Sequence, residues 1–198
     1  MRSMWTLAIL ALLLGLHAAS LNLPWYTYSH SSGRTLPPEF PSNETGENVT
    51  VREYYPFQLR GDVNATQVHA AQELTQPLGI GVSITIALVV IAFAVELLWG
   101  HDDRARWPGM ILTSLGLLLT LAMLLFVFFA FPPTLSGEGV TGTFTNRQTP
   151  TGFVRSTVGW GWLLGGIAIL AHLAHFAFRF QQGSFDLGFV DRLQKKNP

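Results

Sequence analysis

Along this chain the apolar residues gather in long unbroken blocks, where a soluble core would show the alternation of a half-buried strand or the 3.6-residue rhythm of an amphipathic helix. Three blocks stand out, Leu78–Trp99, Met110–Phe131 and about Val158–Phe180. A hydrocarbon layer about 30 Å thick takes roughly 20 helical residues to cross, so each block predicts a transmembrane helix. A fourth runs from Met4 to about Leu23 and is interrupted by His17, Ser20 and Asn22. Its basic start at Arg2, its apolar middle TLAILALLLGL and the small residues Ala18, Ala19 and Ser20 also describe a secretory signal peptide. A retained helix is preferred, because His17 would fill the −3 position of the cleavage site and the apolar pattern runs on through Leu21, Leu23 and Trp25. The pattern predicts an all-α membrane fold in a single domain: a bundle of four helices over about 4–23, 78–99, 110–131 and 158–180.

Between the blocks the pattern changes period. PWYTYS, NVTVREYYPF, GVTGTFTN and TGFVRST are rich in aromatic and β-branched residues and bounded by Gly and Pro, as short strands are. They predict a small β-rich portion made by the segments 24–77 and 133–157. SSGRTLPPEFPSNETGEN reads as an irregular excursion. Arg60-Gly61-Asp62 spells an integrin-binding tripeptide, but nothing beside it presents a loop tip, and it reads as a turn.

Charge sets the orientation. Arg104 and Arg106 lie in the connection GHDDRARWPG, and Arg179, Arg192, Lys195 and Lys196 lie at the carboxyl end. The positive-inside rule puts both regions, and hence both termini, in the cytoplasm of a cell or plasma membrane, with 24–77 and 133–157 outside. Trp5, Trp25, Trp99, Trp107, Trp160 and Trp162 fall near predicted span ends, where amphipathic rings settle. The tail 181–198 alternates apolar and charged residues and suits the inner membrane surface. In the long outer segment Asn43, Asn48 and Asn64 each open an Asn-x-Thr sequon, making the chain a candidate surface glycoprotein.

Composition removes several classes of function. Hydrophobic residues make up 48% of the chain and charged ones 12%, and twelve basic residues cancel twelve acidic ones, which argues against nucleic-acid binding. Without cysteine there is no disulfide framework, thiolate nucleophile or Cys-ligated metal. No P-loop, dinucleotide fingerprint or Ser/His/Asp arrangement is present, so no catalytic residue is assigned.

What remains is polar chemistry inside the spans. Gly161, Gly165, Ala168, His172, His175 and Arg179 recur at spacings of four, three, four, three and four and form one stripe on a helix. Gly161, Gly165 and Ala168 let a neighbour approach closely, so the stripe should face protein and carry the histidines inward. Thr113, Gly116 and Thr120 give the third span a similar small face. Counting depth at 1.5 Å per residue puts Glu96 level with His175 and Arg179, so a Glu96–Arg179 or Glu96–His175 pair would hold the second and fourth helices in register. Alternatively His172, His175 and Glu96, with His101 or Asp102 nearby, could bind zinc or copper or relay a proton. His101-Asp102-Asp103-Arg104 by itself reads as a solvated turn. A di-iron bundle lacks carboxylates, and the depth count places His17 near the outer face, away from His172 and His175, which disfavours a bis-histidine haem.

A short amino-terminal span, a long β-rich first loop, three more spans and a shorter second loop together resemble the claudin and peripheral-myelin-protein group. LNLPWYTYS, closing the first span, resembles a motif of small prokaryotic four-span proteins in which LPWY ends the first helix. Claudins carry a Trp and a Cys pair in the first loop; Trp25 is present here and the cysteines are not, so the resemblance implies the architecture and not barrier formation. The function expected is that of a non-catalytic structural or accessory protein. Its partners would be lipid and other membrane subunits or its own copies, with no obligatory cofactor. The alternative is a metal-handling, proton-relay or transport component built on the Glu/His cluster.

Overall fold

The computed structural model describes residues 2–31, 49–61, 65–99, 103–149 and 152–183. Four helices, α1 (Arg2–Leu21), α2 (Ala65–Trp99), α3 (Asp103–Thr134) and α4 (Trp160–Gly183), pack as a bundle in which α1 and α3 each contact both α2 and α4. All four are long and apolar enough to cross a membrane, over Met4–Leu21, Ala71–Trp99, Trp107–Thr134 and Trp160–Gln181.

One end of the bundle carries a five-stranded antiparallel sheet of β1 (Tyr26–Ser31), β2 (Val49–Tyr55), β3 (Gln58–Gly61), β4 (Asn146–Thr149) and β5 (Gly152–Val158), in the order β3-β2-β1-β5-β4. The central strand thus follows directly from α1, and it pairs on one side with β2 of the same α1–α2 segment and on the other with β5 of the α3–α4 segment. Tyr26 stands opposite Tyr54 on β2 and Val158 on β5. The period-2 alternation puts Tyr26 and Tyr28 of β1 and Val154 and Ser156 of β5 into the core while Arg155 and Thr157 face out.

Several boundaries differ from those the sequence suggests, each for a local reason. α1 stops at Leu21, two residues early, because Pro24 disfavours a helical residue before it and the chain goes over into the extended run that becomes β1. α2 begins at Ala65, thirteen residues before the expected start, and carries Pro77 within it. Pro77 withholds the N–H that the carbonyl of Glu73 would receive, a cost that usually ends a helix. Here the helix continues, and the β2–β3 hairpin docks on it: Phe57 donates its N–H to the carbonyl of Thr75 at 3.0 Å. Phe57 sits in the left-handed region at φ 66°, and its ring lies over Gly79, where any side chain would collide with it. GVTGTFTN supplies only the first residue of β4, and the rest is a turn. The expected turn Arg60-Gly61 instead closes the unforeseen strand β3, with Asp62 outside the described residues.

Sheet and bundle share one core. Trp25, Tyr26, Tyr28 and Tyr54 pack with Leu78 and Val82 of α2 and Met123, Val127 and Phe131 of α3. The Phe131 ring is 5.0 Å from that of Tyr26 and 5.3 Å from that of Tyr54. Towards the other end a smaller cluster joins Leu10 and Leu13 of α1, Val89 and Ala92 of α2, and Ala168 and Ala171 of α4.

Candidate functional site

The α4 stripe is buried throughout: Gly161, Gly165, Ala168, His172, His175 and Arg179 all point into the bundle. At its upper end the small residues receive a side chain from the connection after α1. The Trp25 indole lies against Gly161 and Gly165, and Leu124 of α3 also fills the space above Gly165. Trp25 is held there by its own indole N–H, which donates to the carbonyl of Ser20 at 2.9 Å. Gly161 donates its N–H to the carbonyl of Pro24 at 2.8 Å, so a donor left open at the start of α4 is satisfied by the same connection.

Below this wedge lies a polar layer. His172 Nε2 is 3.3 Å from Nε2 of His17 on α1, with ring centroids 5.6 Å apart and planes tilted by 49°. On its other side the His172 ring packs against Gly116 of α3 so closely that a Cβ there would stand 3.0 Å from Cε1. Lower still, Arg179 donates from its guanidinium to Oε2 of Glu96, tying α4 to α2 by an ion pair buried on both sides. The threonines around this layer are buried, and their hydroxyls bond within their own helices. Thr85, Thr113 and Thr120 each donate to the carbonyl four residues earlier, at 3.0, 2.9 and 2.7 Å, which satisfies them within their own helices.

Of the candidate residues, the structure joins Glu96 with Arg179 and His172 with His17. It does not assemble His172, His175 and Glu96 as metal ligands, since among the described residues no three His, Asp or Glu side chains converge at ligand spacing. The Glu96 carboxylate is already taken by a cation. His101 and Asp102, and the sequon residues Asn43, Asn48 and Asn64, lie outside the described residues.

The place of His17 differs from the depth count, and the reason is the early end of α1. The count takes a helix running to Leu23, whereas residues 22–25 form a turn and bends, with Asn22 donating its N–H to the carbonyl of Ala19 at 3.0 Å. α1 thus ends at Leu21, and His17 lies level with His172. Pro24 followed by the alternating YTYS was the signal for this.

Chemically, two imidazoles sharing one Nε2–H···Nε2 bond must adopt opposite tautomers, one protonated at Nε2 and the other at Nδ1. The Nδ1 atoms of His17, His172 and His175 are buried, with no hydrogen-bond partner among the described residues. Such a pair stitches α1 to α4, and it can also pass a proton from ring to ring.

No protein-family model and no curated protein matches this chain.

Proposed function

We propose that this chain is an integral membrane protein of claudin-like layout, working without catalysis as a structural or accessory component. In this reading it spans a cell membrane four times with both termini cytoplasmic. It holds the sheet outside and offers sheet and bundle surfaces to other membrane subunits or to copies of itself. The observation that carries it is the Glu96–Arg179 ion pair. The buried carboxylate of Glu96 is used to fix two helices, and the hydroxyls of Thr85, Thr113 and Thr120 are used within their own helices, so this ion pair serves register. The large apolar side chains left outside the bundle, such as Leu97, Leu118, Leu170 and Phe129, suit a lipid or protein neighbour.

Native mass spectrometry of protein extracted from its own membrane in mild detergent tests the proposal. The expected result is a metal-free oligomer or a complex with other subunits, and the same spectrum reports any glycans at Asn43, Asn48 and Asn64. A monomer carrying a stoichiometric bound metal would overturn it.

A second reading, a proton relay, is favoured by the His17–His172 contact specifically. Proteoliposomes loaded with a pH-sensitive dye separate the two. Proton flux lost in a folded His172→Ala protein supports the relay, and no flux in the unaltered protein supports the structural role.

A further inference from the structure

The last turn of α3 contains Pro132 and Pro133. Neither has an N–H, so the carbonyls of Phe128 and Phe129, four residues earlier, lose their helical donors. The chain returning from α3 replaces one of them: the Thr143 hydroxyl donates to the Phe128 carbonyl at 2.8 Å. This bond holds the 141–145 turn beside the helix, more than a full turn short of its end at Thr134.

The turn is fixed internally as well. Thr145 Oγ1 accepts the N–H groups of Thr141 and Gly142, each at 3.1 Å, and donates to the Gly142 carbonyl at 2.8 Å. Ser156 of β5 donates to that carbonyl at 3.1 Å and accepts the N–H of Thr145 at 3.2 Å. Out of this rigid tip the Phe144 ring projects with 64% of its surface exposed, edge-on to Phe128 at 6.3 Å. It prolongs a line of exposed apolar residues on one face of α3: Trp107, Ile111, Leu115, Leu118, Leu125 and Phe129.

We propose that the 141–145 turn is a membrane anchor, with the Phe144 ring seated at the boundary between headgroups and acyl chains of the leaflet on the sheet side. The inference rests on the membrane-spanning reading above. Phe128 lies seven to eight residues from the middle of the Trp107–Thr134 span, or about 11 Å at 1.5 Å per residue, inside a hydrocarbon half-thickness of about 15 Å. Non-helical backbone at that depth requires its polar groups satisfied by protein, which the Thr143, Thr145 and Ser156 bonds do for the groups named. An aromatic ring at the edge of a lipid-facing stripe suits the interface. A single ring projecting from a tight turn offers lipid a wedge and gives a second copy little flat surface.

The chain has no cysteine, so a single introduced one carries a spin label alone. Phe144→Cys is labelled in phosphatidylcholine liposomes and compared with Leu118→Cys and Arg155→Cys. Collision with oxygen reports lipid, and collision with a water-soluble nickel chelate reports solvent. The label at 144 is expected to resemble that at 118, with nickel accessibility several-fold below that at 155. Water-like behaviour at 144 with lipid-like behaviour at 118 overturns the anchor alone. Shielding of 144 from both reagents also overturns it, pointing to a covering protein surface. Water-like behaviour at 118 overturns the spanning reading first. In the Phe144→Cys background Thr143→Val should raise nickel accessibility several-fold while Thr143→Ser should not, with helix content by circular dichroism unchanged in both. Equal accessibility in the two would remove Thr143 from the role.

Discussion

Removing the Glu96 charge leaves the Arg179 guanidinium facing a neutral amide inside the bundle. Breaking a buried pair from one side costs about 3–5 kcal/mol, whereas replacing both members by apolar groups is often close to neutral. Glu96→Gln should therefore destabilise by that amount, and Glu96→Leu with Arg179→Met should recover most of it. Unfolding in mixed micelles measures both, and a Glu96→Gln protein as stable as the parent would sink the ion pair as a register device. On the sheet, Tyr55 donates to the Glu53 carboxylate at 2.6 Å. That bond first, then burial and the Glu53 charge, push the phenol above its ordinary value, with Arg60 opposing. The folded protein then keeps a proton that the unfolded chain releases. The contribution is complete below about pH 10 and is lost as pH climbs through the raised value. Tyr55→Phe should flatten the fall in stability above about pH 10, and thermal unfolding across that range checks it. Glu96 with Arg179 could be paired from sequence because both lie in uninterrupted helices, where depth is a simple count. His17 could not, because its depth depends on where α1 stops.

For the elements, prolines decide what hydrophobic blocks alone leave open. The α2 block begins at Leu78 by composition, yet the helix runs through Pro77 to Ala65, with the Phe57 N–H docked on the Thr75 carbonyl. A hairpin that docks on the helix from another segment has no signature in a local window. The α4 stripe was legible in full, since six residues on one helical face need no knowledge of the partner. That a tryptophan from a connection would fill part of it was not legible. Gly161→Ala places a methyl group against the Trp25 indole and should cost about 1–3 kcal/mol by overpacking. The indole N–H resonance of Trp25 should shift as its bond to Ser20 is strained. An unchanged resonance together with unchanged stability would show that the wedge has room.

At the scale of the whole molecule, sheet and bundle have no boundary between their interiors, because Tyr26, Tyr54 and Phe131 touch across it. Unfolding followed by far-ultraviolet circular dichroism and by tryptophan fluorescence should give coincident transitions, the mark of one cooperative unit. Two separated transitions would mean that the sheet melts independently. The class, four apolar helices with a small sheet, was legible because helix length and strand alternation are properties of single segments. The strand order was not, because pairing is a property of segments far apart in the chain.

That order has a consequence in time. The central strand β1 borders β2 on one flank and β5 on the other, and roughly 120 residues separate Ser31 from Gly152. At roughly 5–20 residues per second of synthesis, the ribosome delivers the second neighbour on the order of 6–24 seconds after the first strand. Through that interval the nascent chain holds a half-built sheet with an open backbone edge, a template for any passing strand. The position of its first strand thus leaves one flank of β1 unpaired until β5 has been made.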